Sequence, residues 1–99
     1  MIMNRRTFKI QIGEVEHAIE MLRTEGPKVN FPGPVRVYHT LTGEFNQIII
    51  EYEFPDLATY DAFWQEWSAS ELAAAFMPGW NAINLPGGSN ELFFKEIEL

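Results

Sequence analysis

The chain has 99 residues, 46% of them apolar and 14% aromatic, which is a typical composition for a single globular domain spanning 1–99. Cysteine is absent, so disulfide bonds and thiolate zinc sites are excluded. The net charge is −7, which disfavours nucleic acid and anionic membranes as partners. No apolar stretch has the length of a signal peptide or a membrane span, so we predict a cytoplasmic protein.

The first part of the chain predicts a strand followed by a helix. Residues 7–12 alternate between apolar and polar side chains, which is the pattern of a half-buried strand. The apolar side consists of Phe8, Ile10 and Ile12. From Glu14 onward the apolar residues recur at helical spacing, and the Gly-Pro pair at 26–27 predicts where this helix ends. The basic pair of Arg5 and Arg6 lies near a terminus that we expect to be frayed.

Residues 35–41 and 46–54 alternate in the same way and predict a β-hairpin. A connection of two or four residues places the apolar faces of the two strands on the same side of the sheet. A three-residue connection would place them on opposite sides, which burial forbids. We therefore predict the even connection, in which Arg36 lies opposite Glu51.

The remaining chain predicts two helical segments and a final strand. Asp56 predicts the N-cap of a helix with a broad apolar stripe, and a capping box at 68–71 predicts the start of the next helix. The Pro-Gly pair at 78–79 is expected to interrupt that helix. A loop is predicted at 86–88 and a strand at 91–99, whose mixed faces indicate a β-bulge.

The predicted order is β-α-β-β-α-β, with the second helical segment broken in two, which is the ferredoxin-like α+β arrangement around an antiparallel four-stranded sheet. The helices are expected to cover the apolar face of this sheet. The opposite face mixes charged, polar and apolar side chains: Lys9, Gln11, Arg36, Tyr38, Thr40, Gln47, Ile49, Glu51 and Glu53. A domain this short is marginally stable without staples or a partner, so we predict a homodimer that uses this face.

Several segments resemble NIPSNAP-like proteins of the dimeric α+β barrel superfamily. They are Val-Arg-Val-Tyr at 35–38, Glu-Tyr-Glu-Phe at 51–54, Asp-Leu-Ala-Thr-Tyr at 56–60 and Phe-Trp-Gln-Glu-Trp at 63–67. The resemblance implies a dimer in which two four-stranded sheets face each other and close a barrel. It implies little about activity.

The same superfamily contains antibiotic-biosynthesis-type monooxygenases and haem-degrading enzymes. The resemblance implies that a haem-degrading member needs an Asn, a Trp and a helical His. This sequence offers Trp64 or Trp67, but no histidine lies in residues 56–85 and neither Asn4 nor Asn46 matches the required place. We therefore expect no cofactor.

The polar face supplies the first candidate catalytic group, which consists of Arg36, Tyr38 and Glu51. The arginine would hold a substrate carboxylate or enolate, and the tyrosine or the glutamate would move a proton. Lys9 would contact the ligand and is expected near Glu53. The alternative is that these side chains form an ion-pair network at a dimer interface or on a solvated sheet face.

The apolar face supplies the second set of candidates. His39 lies near the end of its strand and is either a general base or a hydrogen-bonded residue at the sheet edge. Tyr52, Trp64 and Trp67 either line a pocket for a flat ligand or anchor the core or an interface. No spacing of acids and histidines matches a metal site.

Three functions remain open at this point. The first is a small-molecule-binding protein or a cofactor-independent enzyme, oxygenase- or isomerase-like, that takes an aromatic or carbonyl compound, and it follows from analogy with the superfamily. The second is a non-catalytic domain that dimerises. Haem degradation is the third.

Overall fold

The computed structural model describes residues 1–94, which form four strands and three helices in the predicted ferredoxin-like α+β order. The elements are β1 (Ile2–Ile10), α1 (Val15–Glu25), β2 (Val35–His39), β3 (Gln47–Phe54), α2 (Leu57–Ala69), α3 (Glu71–Ile83) and β4 (Asn84–Phe94). A short 3₁₀ turn over Gly26–Lys28 follows α1. The prediction of a helical segment broken in two is confirmed by α2 and α3.

The sheet is antiparallel and has the strand order β2-β3-β1-β4. β1 is therefore a central strand and pairs with β3 on one side and with β4 on the other. In the β2–β3 hairpin, Arg36 lies opposite Glu51 and Val37 lies opposite Ile50. The predicted register is confirmed, because this pairing keeps the apolar faces of both strands on the helix side of the sheet.

The hydrophobic core lies between the helices and one face of the sheet. Its buried members are Ile2, Ile10, Ala18, Ile48, Ile50, Tyr52, Phe54, Trp80 and Ile83. The other face of the sheet carries none of the helices of residues 1–94, and we call it the helix-free face. Within the same residues, no helix combines the length and the apolar character needed to cross a lipid bilayer.

β1 begins earlier and ends earlier than the sequence predicted. It starts at Ile2, because this residue pairs with Phe54 on one side and with Phe94 on the other. The expectation of a frayed terminus is therefore wrong, and Arg5 and Arg6 lie within β1. Ile12 lies beyond the end of the strand and is 88% exposed, so its predicted place on the apolar face is also wrong.

The hairpin connection is longer than predicted, because β2 ends at His39 and β3 begins at Gln47. Two residues in this connection, Gly43 and Asn46, have positive φ angles of 104° and 56°, which extended strands do not adopt. Leu41, which was predicted to lie in the strand, is 96% exposed.

The start of α3 differs from the predicted capping box. Ser70 is the N-cap, and its hydroxyl accepts a hydrogen bond from the Ala73 amide at 3.1 Å. Ser68 belongs to α2, where its hydroxyl donates to the Trp64 carbonyl. α3 also continues through Pro78 instead of breaking there. Burial of residues beyond the proline, above all Trp80, favours the continuous helix over the local preference of proline.

β4 begins at Asn84 and contains the Pro-Gly-Gly segment at 86–88, which was predicted to be a loop. The pairing of β1 with β4 shifts register between Thr7 and Lys9, so this segment is an irregularity within the strand. A Cβ atom at Gly88 would overlap the Thr7 carbonyl oxygen, so only glycine fits this close approach. The predicted strand at 91–99 is confirmed only for its first part, since residues 95–99 lie outside the described range.

Candidate functional site

A cavity of about 130 Å³ lies between the helix side of the sheet and helices α1, α2 and α3. Most of its wall is apolar, and aromatic rings from both strands and helices dominate it. The aromatic lining residues are Phe8, Phe31, Tyr52, Phe63, Trp64, Trp67, Phe76 and Trp80. Few polar side chains reach this wall, so each of them matters for what the cavity can bind.

Arg6 is the cationic residue of the cavity wall. It lies opposite Ile50 in the sheet, and the alternation of β1 therefore places its side chain on the helix side. The guanidinium carbon lies 3.8 Å from the centroid of the Trp64 ring, which is a cation–π arrangement. Within residues 1–94, Arg6 has no carboxylate at ion-pair distance, although the chain has fourteen acidic residues.

The orientation of Arg6 is fixed by a buried asparagine two residues earlier on the same strand. Arg6 Nε donates a hydrogen bond to Asn4 Oδ1 at 3.0 Å. Asn4 is fully buried, and its own amide donates to the Asn90 side chain and to the Glu91 carbonyl on β4. The two Nη groups of Arg6 make no hydrogen bond to the described part of the chain, so they are available to a ligand.

Tyr52 reaches the same cavity from β3. It is only 8% exposed, and burial raises the pKa of its hydroxyl to about 12, although the nearby charge of Arg6 opposes this shift. The hydroxyl is therefore neutral at physiological pH and keeps its proton. It makes no hydrogen bond within residues 1–94.

Trp64 and Trp67 line the cavity from α2. The Trp64 ring packs edge-on against Tyr52, with 5.1 Å between the ring centroids. Its indole Nε1 is buried and has no hydrogen-bond acceptor among the described residues. A buried donor without an acceptor typically costs about 1–3 kcal/mol.

The loop before β2 closes one side of the cavity with Phe31. This ring packs against Tyr52 and Phe63, with centroid distances of 5.8 and 5.5 Å. Two features hold the loop against β3. The Glu53 amide donates to the Pro34 carbonyl at 3.0 Å, and a Cβ at Gly33 would overlap the Glu53 carbonyl oxygen.

Glu25, at the end of α1, is the acidic residue of the cavity wall. Its carboxylate lies 3.1 Å from Lys28 Nζ, and this ion pair offsets its charge. Arg6 is therefore the charged side chain of the wall without an ion-pair partner within residues 1–94.

The helix-free face carries a row of alternating charges. Arg5 and Arg36 both contact Glu51, at 3.0 and 3.7 Å, and Arg36 also binds Glu53. The hydrogen bond to Glu53 raises the pKa of Arg36 above its ordinary value. Tyr38 lies on the same face and is 47% exposed. Arg36, Tyr38 and Glu51 are thus neighbours, as the register predicted.

Lys9 also lies on the helix-free face, but it is not close to Glu53. It pairs with Gln47 across the sheet, and its amine binds Glu44 at 3.2 Å. The predicted proximity of Lys9 and Glu53 is wrong, because the confirmed register places them at different levels of the sheet.

The predicted site residues therefore fall into two groups on opposite faces of the sheet. Arg36, Tyr38, Glu51 and Lys9 lie on the helix-free face, whereas Tyr52, Trp64 and Trp67 lie around the cavity. His39 belongs to neither group, because it is exposed at the end of the edge strand β2 and does not line the cavity. One chain cannot combine both groups in a single pocket.

Sequence reasoning missed Arg6, because the strand was predicted to begin at Thr7, one residue after it. The signal was present. Continuing the alternation of Phe8 and Ile10 backward by twos passes through Arg6 and Asn4 to Ile2, and all of these face the helices.

The described residues 1–94 contain no cluster of three or more His, Asp or Glu side chains that could hold a metal ion. Helices α2 and α3 contain no histidine, and the only two histidines, His17 and His39, are exposed away from the cavity. The cavity residues therefore do not fit a haem held by a helical histidine.

No protein-family model and no curated protein matches this sequence. Solved structures do match it. A NIPSNAP family protein from Agrobacterium tumefaciens superposes with a TM-score of 0.84 at 19% identity, covering 94% of this chain and 90% of that one. An uncharacterized NIPSNAP domain protein from Burkholderia xenovorans superposes with a TM-score of 0.82 at 18% identity, covering 97% of this chain and 95% of that one.

The chain has the NIPSNAP fold. The resemblance predicted from the sequence is confirmed at the level of the fold, which is what similarity at such low identity shows. A putative antibiotic biosynthesis monooxygenase from Deinococcus radiodurans shares this NIPSNAP-like architecture, with a TM-score of 0.72 at 11% identity over 100% of this chain and 96% of that one.

Proposed function

We propose that this protein binds a small aromatic molecule in the cavity between the sheet and the helices. The observation that carries the proposal is the aromatic wall around a volume of about 130 Å³. An apolar cavity of about 150 Å³ accommodates benzene, so the volume here suits a single ring. Larger cofactors need pockets of roughly 300–1,000 Å³.

Aromatic side chains in the walls can contact a flat ligand ring with their faces and with their edges. Such ring pairs contribute about 0.5–1.5 kcal/mol each beyond the burial of area. Tyr52, Trp64 and Trp67, the ligand-binding candidates from the sequence, would supply part of these contacts. Arg6 and the protonated Tyr52 hydroxyl would supply the polar ones.

The same two polar groups support an oxygenase- or isomerase-like reaction as an extension of the proposal. Arg6 would stabilise negative charge that develops on a bound carbonyl compound, and the Tyr52 hydroxyl would donate a hydrogen bond to it. The similarity to a putative antibiotic biosynthesis monooxygenase supports this chemistry by fold analogy alone.

We expect benzyl alcohol, a neutral single-ring probe, to bind saturably and to shift the indole NMR signals of Trp64 and Trp67. Both indoles line the cavity, so a ring bound there changes their shielding. Trp64→Phe and Trp67→Phe assign the two signals among the three tryptophans, and Phe45→Ala is a control because Phe45 lies in the exposed hairpin connection. Saturation without any shift of these two indoles, or no saturation at all in a folded protein, would contradict the proposal.

We propose, as a second and separate function of the surface, that the helix-free face joins two copies of the chain. Its alternating charges can pair with those of a second copy turned by a two-fold axis, because such an interface brings the same patch of both subunits together. Exposed rings of Tyr38 and Phe93 lie among these charges and offer apolar contact area. In this arrangement Arg36 and Glu51 act as an ion-pair network at the interface instead of as catalytic residues.

We expect light scattering on a size-exclusion column to give twice the chain mass at micromolar concentration. Tyr38→Glu should raise the dimer dissociation constant at least tenfold, because it buries an extra carboxylate beside Glu51. Leu57→Glu is the matched control, since Leu57 is exposed at the start of α2 on the other side of the molecule. A monomeric wild-type protein, or equal effects of both substitutions, would refute this interface.

A further inference from the structure

We propose that the ligand of the cavity is an aromatic carboxylic acid whose carboxylate binds Arg6. This inference rests on the proposed function, because it names the chemical class of the molecule that the cavity takes. It goes further in assigning a charge to the ligand and a residue to the recognition of that charge.

The first argument is the contrast between Arg6 and the other arginines of the sheet. Arg5 and Arg36, on the helix-free face, both pair with Glu51. Arg6 is next to Arg5 in the sequence, yet within residues 1–94 no carboxylate lies at ion-pair distance from it. A partly buried cation is costly without a counter-charge, so an anionic ligand would supply the charge that residues 1–94 do not.

The second argument is geometric. Asn4 accepts the Nε hydrogen bond of Arg6, and the guanidinium lies over the Trp64 ring, so the group is held at two points. The Nη side of the guanidinium remains for the ligand. Arginine presents two parallel N–H bonds there, which match the two oxygens of a planar carboxylate.

The third argument is the excess of donors at the cavity. The Arg6 Nη groups and the Tyr52 hydroxyl are donors on residues that line the cavity, and neither has an acceptor in the described part of the chain. The acidic side chain of the wall, Glu25, is already bound to Lys28. A ligand that brings acceptor oxygens and a negative charge complements this set, and a ligand that brings only donors does not.

The volume limits the rest of the molecule. About 130 Å³ takes one ring, so the proposed class is that of benzoate and its close relatives. Tetrahedral anions such as a sulfonate carry the same charge but do not match the planar guanidinium edge as well.

The experiment compares benzoate with benzamide, which has nearly the same shape but no charge, by NMR or calorimetric titration. The wild-type protein should bind benzoate at least tenfold more tightly than benzamide. Arg6→Met keeps an unbranched stem over Trp64 but removes the charge. This substitution should weaken the binding of benzoate 10- to 100-fold and change the affinity for benzamide by less than threefold.

Arg5→Met is the matched control, because Arg5 is the neighbouring residue on the opposite face. It should leave the affinities for both probes unchanged. If Arg6→Met fails to fold by circular dichroism, Arg6→Lys replaces it. Lysine keeps the charge without the planar fork, so the preference for benzoate should shrink but persist.

The outcomes separate the two proposals. Three results would each overturn the carboxylate assignment but leave the aromatic cavity as a binding site. They are equal affinities for benzoate and benzamide, a higher affinity for benzenesulfonate than for benzoate, and loss of benzoate binding in Arg5→Met. If neither benzamide nor benzoate nor benzyl alcohol binds to the folded protein, the proposed function itself fails.

Discussion

Phe54→Ala is expected to lower the free energy of unfolding by about 3–5 kcal/mol, which is the range for truncation of a fully buried aromatic side chain. Phe54 is 1% exposed. Its ring packs against Tyr60 and Phe63 of α2, with centroid distances of 5.4 and 5.7 Å. Removing it leaves a void between β3 and α2. Urea denaturation followed by tryptophan fluorescence measures the loss.

Phe45→Ala is the matched control, because it makes the same substitution at a side chain that is 89% exposed. Its effect should stay within about 0.5 kcal/mol. A loss of less than about 1 kcal/mol in Phe54→Ala would mean that β3 and α2 do not pack as described. The same void borders the aromatic wall, so benzyl alcohol should also bind more weakly to this variant.

Tyr52 should make the protein lose stability at alkaline pH. Its pKa is raised to about 12 in the folded state, against 10.0 for an ordinary tyrosine, because burial disfavours the phenolate. The folded state therefore holds the proton more tightly than the unfolded state. This contribution is fully present below pH 10 and is lost as the pH rises through about 12. Two pKa units correspond to about 3 kcal/mol.

Tyr52→Phe should abolish this component of the pH dependence, and denaturation midpoints at a series of pH values between 9 and 12 would show it. Lysines titrate in the same range, so the decisive quantity is the difference between variants. Tyr38→Phe serves as the control, because it removes a tyrosine hydroxyl from the helix-free face and leaves the cavity unchanged. An identical loss in wild type and Tyr52→Phe would refute the assignment.

The parts of the fold that follow local rules were predictable. The register of Arg36 opposite Glu51 follows from matching two alternating faces, and α1 follows from helical spacing. Both patterns depend on residues close together in the sequence. Tertiary contacts decide the other elements.

Three regions were not predictable from local rules. β1 extends to Ile2 because strands on both sides pair with it. α3 runs through Pro78 because burial beyond the proline outweighs the missing backbone hydrogen bond. β4 includes Gly88 because the strand passes too close to Thr7 for any Cβ atom. In each case the deciding partner is far away in the sequence.

Some residues of the candidate site were predictable from the sequence, and others were not. Tyr52, Trp64 and Trp67 were predictable as wall residues, because alternation and helical spacing place them on apolar faces. Arg6 was not, because its position depends on the buried Asn4 and on a tryptophan of α2 that stacks on it. Within residues 1–94 no carboxylate lies at ion-pair distance from Arg6, and this depends on the three-dimensional fold and not on any spacing in the sequence.

Because β1 is a central strand, the sheet cannot be completed until the strands on both sides of it have been synthesised. Asn4 and Glu91 are hydrogen-bonded although they are 87 positions apart. The ribosome therefore releases β1 long before its partner β4 exists. Until residues 84–94 have been made, one edge of β1 is open and can pair with a strand of another nascent chain. The sheet closes only after β4 has emerged, so we expect this chain to benefit from chaperones that shield β1 until then.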